Sequence, residues 1–292
     1  MDPLEFVRLA PLMALTRGQS DAVIGLVDGP VAFDHPDLAG ATIRTLGGVP
    51  GACRDPASDS CRHGTFVAGI LVARRGARAP AIAPDCTLVV RPVFWEAGPA
   101  GGLPSASPGE LAEAITACVD AGARIINLSA ALAGGPGEPD RELGEVLGYA
   151  ARRGALVIAA AGNQGAVMGS AITSHPWIIP VAAYARRGRP IAQSNLGRSI
   201  GSSGLGAPGE EVVSLASDGV PVASGGTSVA TPFVSGTAAL LWSAFPWAAP
   251  AEIKHALLSS AQGRRRAVAP PLLDAWGAYE VLSGGQARRA ML

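Results

Sequence analysis

Four residues carry side chains and neighbours that could do chemistry together: Asp28 after the apolar run VIGLV, His63 in HGTFVAG, Asn163 at the end of ALVIAAAGN, and Ser228 in SGGTSVATP. A serine hydroxyl is a weak nucleophile until an imidazole takes its proton, and a carboxylate fixes the tautomer of that imidazole and stabilises the imidazolium. A carboxamide N–H can then hold the oxyanion that forms when a carbonyl is attacked. Each residue also has a plainer reading. Asp28 serves as a turn acid, His63 as a polar residue opening a helix, Asn163 as a turn residue after a strand, and Ser228 as a helix N-cap, whose hydroxyl satisfies a free N–H of the first turn. Only the four together make a nucleophile system.

Elements that could position these groups are legible in the chain. Short apolar, β-branched runs (DAVIGLVD, TLVVRPVF, RIINLS, ALVIAAAGN) alternate with helical patterns (HGTFVAGILVARR, PGELAEAITACVDAGA, DRELGEVLGYAARRG). The alternation predicts an α/β fold with a mainly parallel central sheet and helices on both faces. Leu111, Ile115, Cys118 and Val119 fall on one helical face, with Gly122 at the C-terminal cap. VATPFVSGTAALLWSAF predicts a largely buried helix with Pro232 near its first turn, and Gly225-Gly226 before it leave open backbone that another chain could approach. No repeat or long linker divides the chain, so residues 1–292 read as one catalytic domain, 1–20 being a short extension and 97–109 and 201–209 surface loops. In open α/β sheets ligands collect at the carboxyl ends of the strands, where Asp28 and Asn163 fall.

Bulk properties narrow the function classes. Twenty-three Lys plus Arg balance twenty-three Asp plus Glu, which leaves no global electrostatic case for nucleic acid or an anionic membrane, and Arg264 to Arg266 read as a solvated loop. The first residues, MDPLEFVRLAPLMALTRGQS, are not a signal peptide, and no apolar run approaches the roughly 20 residues of a spanning helix. The expectation is a cytoplasmic protein. Cys53, Cys61, Cys86 and Cys118 lack zinc-site spacing. They could form Cys53–Cys61 and Cys86–Cys118 bridges or remain four reduced thiols. No Gly-x-Gly-x-x-Gly turn or phosphate loop follows a strand, against a nucleotide-binding protein.

The chain order Asp, His, Ser and the motifs VIGLVDG, HGTFVAG, AAAGN and GTSVATPFVSG make the sequence resemble the subtilisin-like serine proteases, the subtilases. HPDL, IINLS, APGEEV and AEIKHALLSSA extend the resemblance along the chain. GLVDGPV with HPDLAGA, IAPDC and IAQSNLG are similar to the subtilases of cyanobactin-type peptide maturation, which trim leaders from ribosomally made precursors. The resemblance implies a three-layer fold and a serine endopeptidase with Asp28, His63 and Ser228 as triad. Asn163 and the Ser228 N–H would be oxyanion donors, and no cofactor or metal is implied. An extended peptide would pair with Ser129, Ala130 and Ala131 on one side and the region of Gly101 and Gly102 on the other, with Ala161 and Gly162 lining the site. A non-catalytic peptide-binding relative is the alternative.

Departures from the family pattern carry expectations too. Gly29 stands where subtilases commonly have Thr or Ser, Phe66 where many have a second His, and Ala130-Ala131 where Gly is usual, which narrows the pocket for the residue before the scissile bond. Val229 replaces the Met that often follows the nucleophile, so peroxide is expected to leave activity largely intact. Asp28 lies too near the start for a long pro-segment. The calcium loop after the catalytic His of secreted relatives is missing from GILVARRGARAPAIAP, and turn roles suit Asp34 and Asp37 better than ligation. The Asp28 to His63 spacing has no space for the insertion of the macrocyclising members, which favours hydrolysis over transpeptidation.

Overall fold

A computed structural model describes residues 2–46, 51–94, 96, 106–129, 140–263 and 265–289. The chain opens with two short helices, α1 (Pro3–Phe6) and α2 (Ala10–Leu15). There follow β1 (Val23–Asp28), β2 (Thr42–Thr45), α3 (Asp59–Val72), β3 (Thr87–Pro92), α4 (Pro108–Asp120), β4 (Ile125–Leu128), α5 (Arg141–Arg152) and β5 (Leu156–Ala160). Next come α6 (Ala171–Ser174), β6 (Ile179–Tyr184), α7 (Arg198–Ser203), β7 (Leu205–Pro208), β8 (Val212–Ser214) and β9 (Val222–Ser224). The long α8 (Thr227–Ala244), then α9 (Pro250–Ser259) and α10 (Ala275–Arg289), complete the order.

Seven strands form one parallel sheet in the order β2-β3-β1-β4-β5-β6-β7, and β8 and β9 make a separate antiparallel pair. Strand side chains alternate between two cores. Ile24, Leu26, Leu88, Val90, Ile125, Ile158 and Val181 pack with α3 and α8 on one face, whereas Val27, Val89, Ile126, Leu128 and Val157 pack with α4 and α5 on the other. Period-2 alternation with both faces covered is what a parallel sheet between helical layers requires, and the three-layer α/β architecture expected from the sequence is present. After β1 the chain builds outward to β2 and β3, then crosses to β4 on the other side of β1. The crevice at such a reversal lies at the carboxyl end of β1, where Asp28 sits.

Helix α8 runs beneath β4 to β7, and its residues 227–243 are all buried. A buried helix rich in hydroxyls needs partners for them. Thr231, Thr237 and Ser243 each donate to the carbonyl four residues back, at 2.7, 2.7 and 2.8 Å. Ser235 instead donates across to Asn127 Oδ1 of β4 at 2.8 Å, and Asn127 Nδ2 donates to Ser129 Oγ at 2.7 Å, which ties α8 to the end of a central strand.

Several local expectations are corrected. Residues 201–209 are not a surface loop: they hold the end of α7 and the buried strand β7, because the small residues let neighbouring backbone pack against them. Pro232 is the sixth residue of α8, past the first turn, because the helix starts at Thr227. Val7, Leu9 and Leu12 of the N-terminal stretch are buried in the α8-side core, and Arg8 pairs with Asp274 at 2.6 Å. Arg265 is exposed, as a solvated loop residue should be, and also donates to the carbonyls of Gly204 at 2.9 Å and Leu258 at 3.1 Å. Cys53 and Cys61 are bonded, but Cys86 and Cys118 are free, because Cys86 lies in the core on one face of the sheet and Cys118 in the core on the other. Burial pushes the Cys86 thiol up to about 11 and the Cys118 thiol up to about 12, which keeps both protonated and unreactive.

Candidate active site

Asp28 ends the central strand β1 and is completely buried. Its Oδ1 accepts the N–H of Gly29 at 2.6 Å and the Nδ1–H of His63 at 2.6 Å. The approach of α3 that makes this contact rests on two glycines. A Cβ on Gly29 would strike the carbonyl of Ser60, and one on Gly64 would strike the carbonyls of Pro30 and Gly29, so strand end and helix meet backbone to backbone. Thr65 Oγ1 accepts the Ala32 N–H at 2.9 Å and fixes the same junction. The Thr or Ser common after Asp in the family has no room here. His63 does not open its helix, because Ser58 caps α3 through the Cys61 N–H and the helix begins at Asp59.

Ser228 is the second residue of α8 and is not its cap. Gly226 holds the cap position at φ +126°, a conformation that side chains rarely adopt, and it is this bend that the Gly-Gly pair serves. Ser228 Oγ lies 2.8 Å from His63 Nε2. An ionised carboxylate only accepts, so the imidazole carries its proton on Nδ1 toward Asp28 and presents a bare Nε2 to the serine hydroxyl. Burial alone pulls the His63 pKa down, but the charge of Asp28 and its hydrogen bond more than offset this and hold the pKa above the usual imidazole value.

Asn163 stands on the exposed turn after β5. Its Oδ1 accepts both the backbone N–H of Thr227 at 2.9 Å and the Thr227 hydroxyl at 3.1 Å, while Thr227 Oγ1 accepts the Gly162 N–H at 3.1 Å. The capping oxygen of α8 thus comes from another element. With Oδ1 occupied, the carboxamide turns its NH2 the other way. A Cβ on Gly226 would lie 3.1 Å from that nitrogen. The backbone N–H of Ser228 belongs to the first turn of α8, whose N–H groups have no partner within the helix and carry the positive end of its dipole. The Asn163 carboxamide and the first-turn N–H groups of α8 therefore lie at the same helix end as the Ser228 hydroxyl.

Thr227 joins the Asn163 carboxamide to the Gly162 N–H, and in the sequence its adjacency to Ser228 is the signal for it. Ala161 and Gly162, expected to line a substrate site, follow β5 and are buried. Ser129 is buried at the end of β4 and donates its N–H to Val27 at 3.3 Å. Ala130, Ala131, Gly101 and Gly102 lie outside the described residues. Cys53, Cys61 and Glu96 come within reach of a common ion, but the two sulfurs are bonded to each other and Glu96 accepts the N–H groups of Arg54 and Asp55 at 2.9 and 3.0 Å. Asp37 pairs with Arg74 at 2.7 Å.

A parallel α/β sheet that presents Asp, His and Ser in this order, with a carboxamide beside the serine, defines a subtilisin-like protein. The chain belongs to the Subtilase family, whose model matches residues 19–277. It is 32% identical to the Thermophilic serine proteinase of Bacillus sp. (strain AK1) over 229 residues, 78% of this chain and 53% of that protein, so it spans about half the length of that relative. Among solved structures, a mutant of the protease domain of PatA superposes with a TM-score of 0.84 at 32% identity, covering 92% of this chain and 97% of that one. The Prenylagaramide maturation protease PagA superposes at 0.82 with 32% identity, covering 94% and 98%.

Proposed function

We propose that the chain is a serine endopeptidase acting through Asp28, His63, Ser228 and Asn163. The observation that carries the reading is the continuous relay from Asp28 Oδ1 to His63 Nδ1 at 2.6 Å and from His63 Nε2 to Ser228 Oγ at 2.8 Å. In the first step Ser228 Oγ attacks the scissile carbonyl carbon while its proton passes to His63 Nε2, and Asp28 stabilises the imidazolium. The carbonyl oxygen, now an oxyanion, accepts from Asn163 Nδ2 and the Ser228 N–H. The C–N bond breaks as His63 returns the proton to the leaving amine. A water then repeats the sequence on the acyl-enzyme, giving a carboxylic acid and free Ser228.

The substrate is an extended peptide, drawn alongside the end of β4 at Ser129. Likeness to PagA and PatA, the latter also solved as a Patellamide maturation protease, supports the finer reading that it is a precursor peptide losing its leader. Hydrolysis, not ring closure, is the proposed outcome. The test incubates the protein with a synthetic leader-plus-core peptide and weighs the products. Two linear fragments whose masses sum to the peptide plus one water support the reading. A cyclic core, or an intact peptide that remains bound, contradicts it.

The proposal also bears on compartment. No described helix is long and apolar enough to cross a membrane. A cytoplasmic setting, expected from the sequence, keeps thiols reduced and would open the Cys53–Cys61 bridge. Acid quenching of intact cells followed by alkylation in denaturant, which exposes the buried Cys86 and Cys118, reads this directly: two alkylated cysteines per chain place the protein in an oxidising setting and four in a reducing one.

A further inference from the structure

The stretch IAQSNLG is similar to the peptide-maturation subtilases, and nothing in the nucleophile chemistry uses it. In the structure its Asn195 is buried and touches almost every residue around Asn163. Asn195 Oδ1 accepts the N–H groups of Gln164 at 3.0 Å and Ala166 at 3.1 Å. Its Nδ2 donates to the carbonyl of Ala161 at 3.2 Å and to Gln164 Oε1 at 2.5 Å, and its own N–H donates to the carbonyl of Gly162 at 2.8 Å. The Asn195 carboxamide thus holds residues 161, 164 and 166, and its backbone N–H holds residue 162. Asn163 is left at the exposed tip between them, and among the described residues its carboxamide oxygen accepts from Thr227.

The support behind Asn195 is itself rigid. Ser194 Oγ accepts the Ala183 N–H of β6 at 3.1 Å, Gly165 donates to the Gln193 carbonyl at 2.8 Å, and Leu196 donates to the Ala166 carbonyl at 2.9 Å. Gly162 adopts φ +103°, and a Cβ there would strike Asn195 Nδ2, so the turn is wrapped directly around the amide. An oxyanion donor contributes only if it stands where the charge appears before the reaction starts, and small misplacements are costly.

We infer that Asn195 is a positioning residue for the oxyanion site: it fixes the 161–166 turn so that Asn163 Nδ2 is aimed before substrate arrives. The inference rests on the proposed role of Asn163. It acts through that donor, so its loss lowers kcat and leaves KM in place.

The experiment is a double-mutant cycle with Asn163→Ala and Asn195→Ala, read as kcat and KM on a chromogenic peptide, with Asn195→Ser as a milder variant that retains one acceptor. The expected result is a kcat loss of up to about 10²-fold for Asn195→Ala, with KM within about twofold. Asn195→Ser should lose less, and Asn195→Ala should cause no further loss in the Asn163→Ala background. Hydrogen exchange supplies a readout independent of catalysis: the Gln164 and Ala166 amides, protected in the parent, should exchange quickly in Asn195→Ala. Multiplying losses in the double variant, a change in KM alone, or unaltered exchange at Gln164 and Ala166 would overturn the inference while leaving the protease reading intact. An Asn163→Ala variant with undiminished kcat would take Asn163 out of the oxyanion site and this inference with it, whereas a parent protein that does not cleave the peptide would sink the protease reading.

Discussion

At the residue scale the site depends on which proton sits where. His63 must be neutral at Nε2 to accept from Ser228, and the anion of Asp28 holds the imidazole pKa above its usual value. Activity therefore falls as the pH drops through the raised His63 pKa, on the alkaline side of the usual imidazole value. The linked stability has the opposite sense: the ion pair stabilises the fold fully below the unfolded imidazole pKa, and this is lost as pH rises through the raised folded value. Asp28→Asn removes the anion and leaves burial acting alone, so the acid limb of the kcat/KM profile should move to lower pH. The rate should fall by about 10⁴-fold, as loss of this carboxylate costs in a serine triad. An unmoved acid limb would assign that titration to another group. The types of these residues were legible because Asp28 and Asn163 end apolar runs and His63 and Ser228 stand in short motifs that precede them. Thr227 and Asn195 were not, because their value lies in partners 64 and 31 residues away in the chain, which no local pattern encodes.

Elements bring those residues together through backbone contact. The β1 end and α3 touch at Gly29 and Gly64 with no space for a Cβ, and His63 reaches Asp28 only because they do. Gly29→Thr would restore the pattern common in the family yet should force the strand end and α3 apart. We expect loss of at least about 1–3 kcal/mol, the range for overpacking, together with a fall in kcat, measured by denaturant unfolding and peptide turnover. A variant as stable and active as the parent would mean that the junction yields freely. Element types were readable from periodicity, whereas the starts of α3 and α8 were not. Ser58 caps through a turn preceding the motif, and α8 receives its capping oxygen from Asn163 on a different element. Such long-range caps leave no signature beside the helix.

Across the whole molecule, the alternation of the strands divides the interior into two cores, and that division decides the cysteines. Cys86 and Cys118 face opposite sides of one sheet and cannot meet, a fact invisible without knowing each residue's face. Cys53 and Cys61 are bonded and close an eight-residue separation just before His63. Closing a loop of that size stabilises by about 2–3 kcal/mol on the chain-entropy account, so a Cys53→Ala/Cys61→Ala variant should melt earlier, read by calorimetry with and without reductant. An unchanged melting temperature would show that the bridge adds nothing to the fold. The central claim, that the fold assembles residues 28, 63 and 228 into a working nucleophile, is tested most directly by a fluorophosphonate probe followed by peptide mapping. The account predicts one adduct, on Ser228, formed ever more slowly as His63 is protonated and absent from Ser228→Ala. A folded parent protein that stays unlabelled, or carries the adduct on another residue, would contradict it.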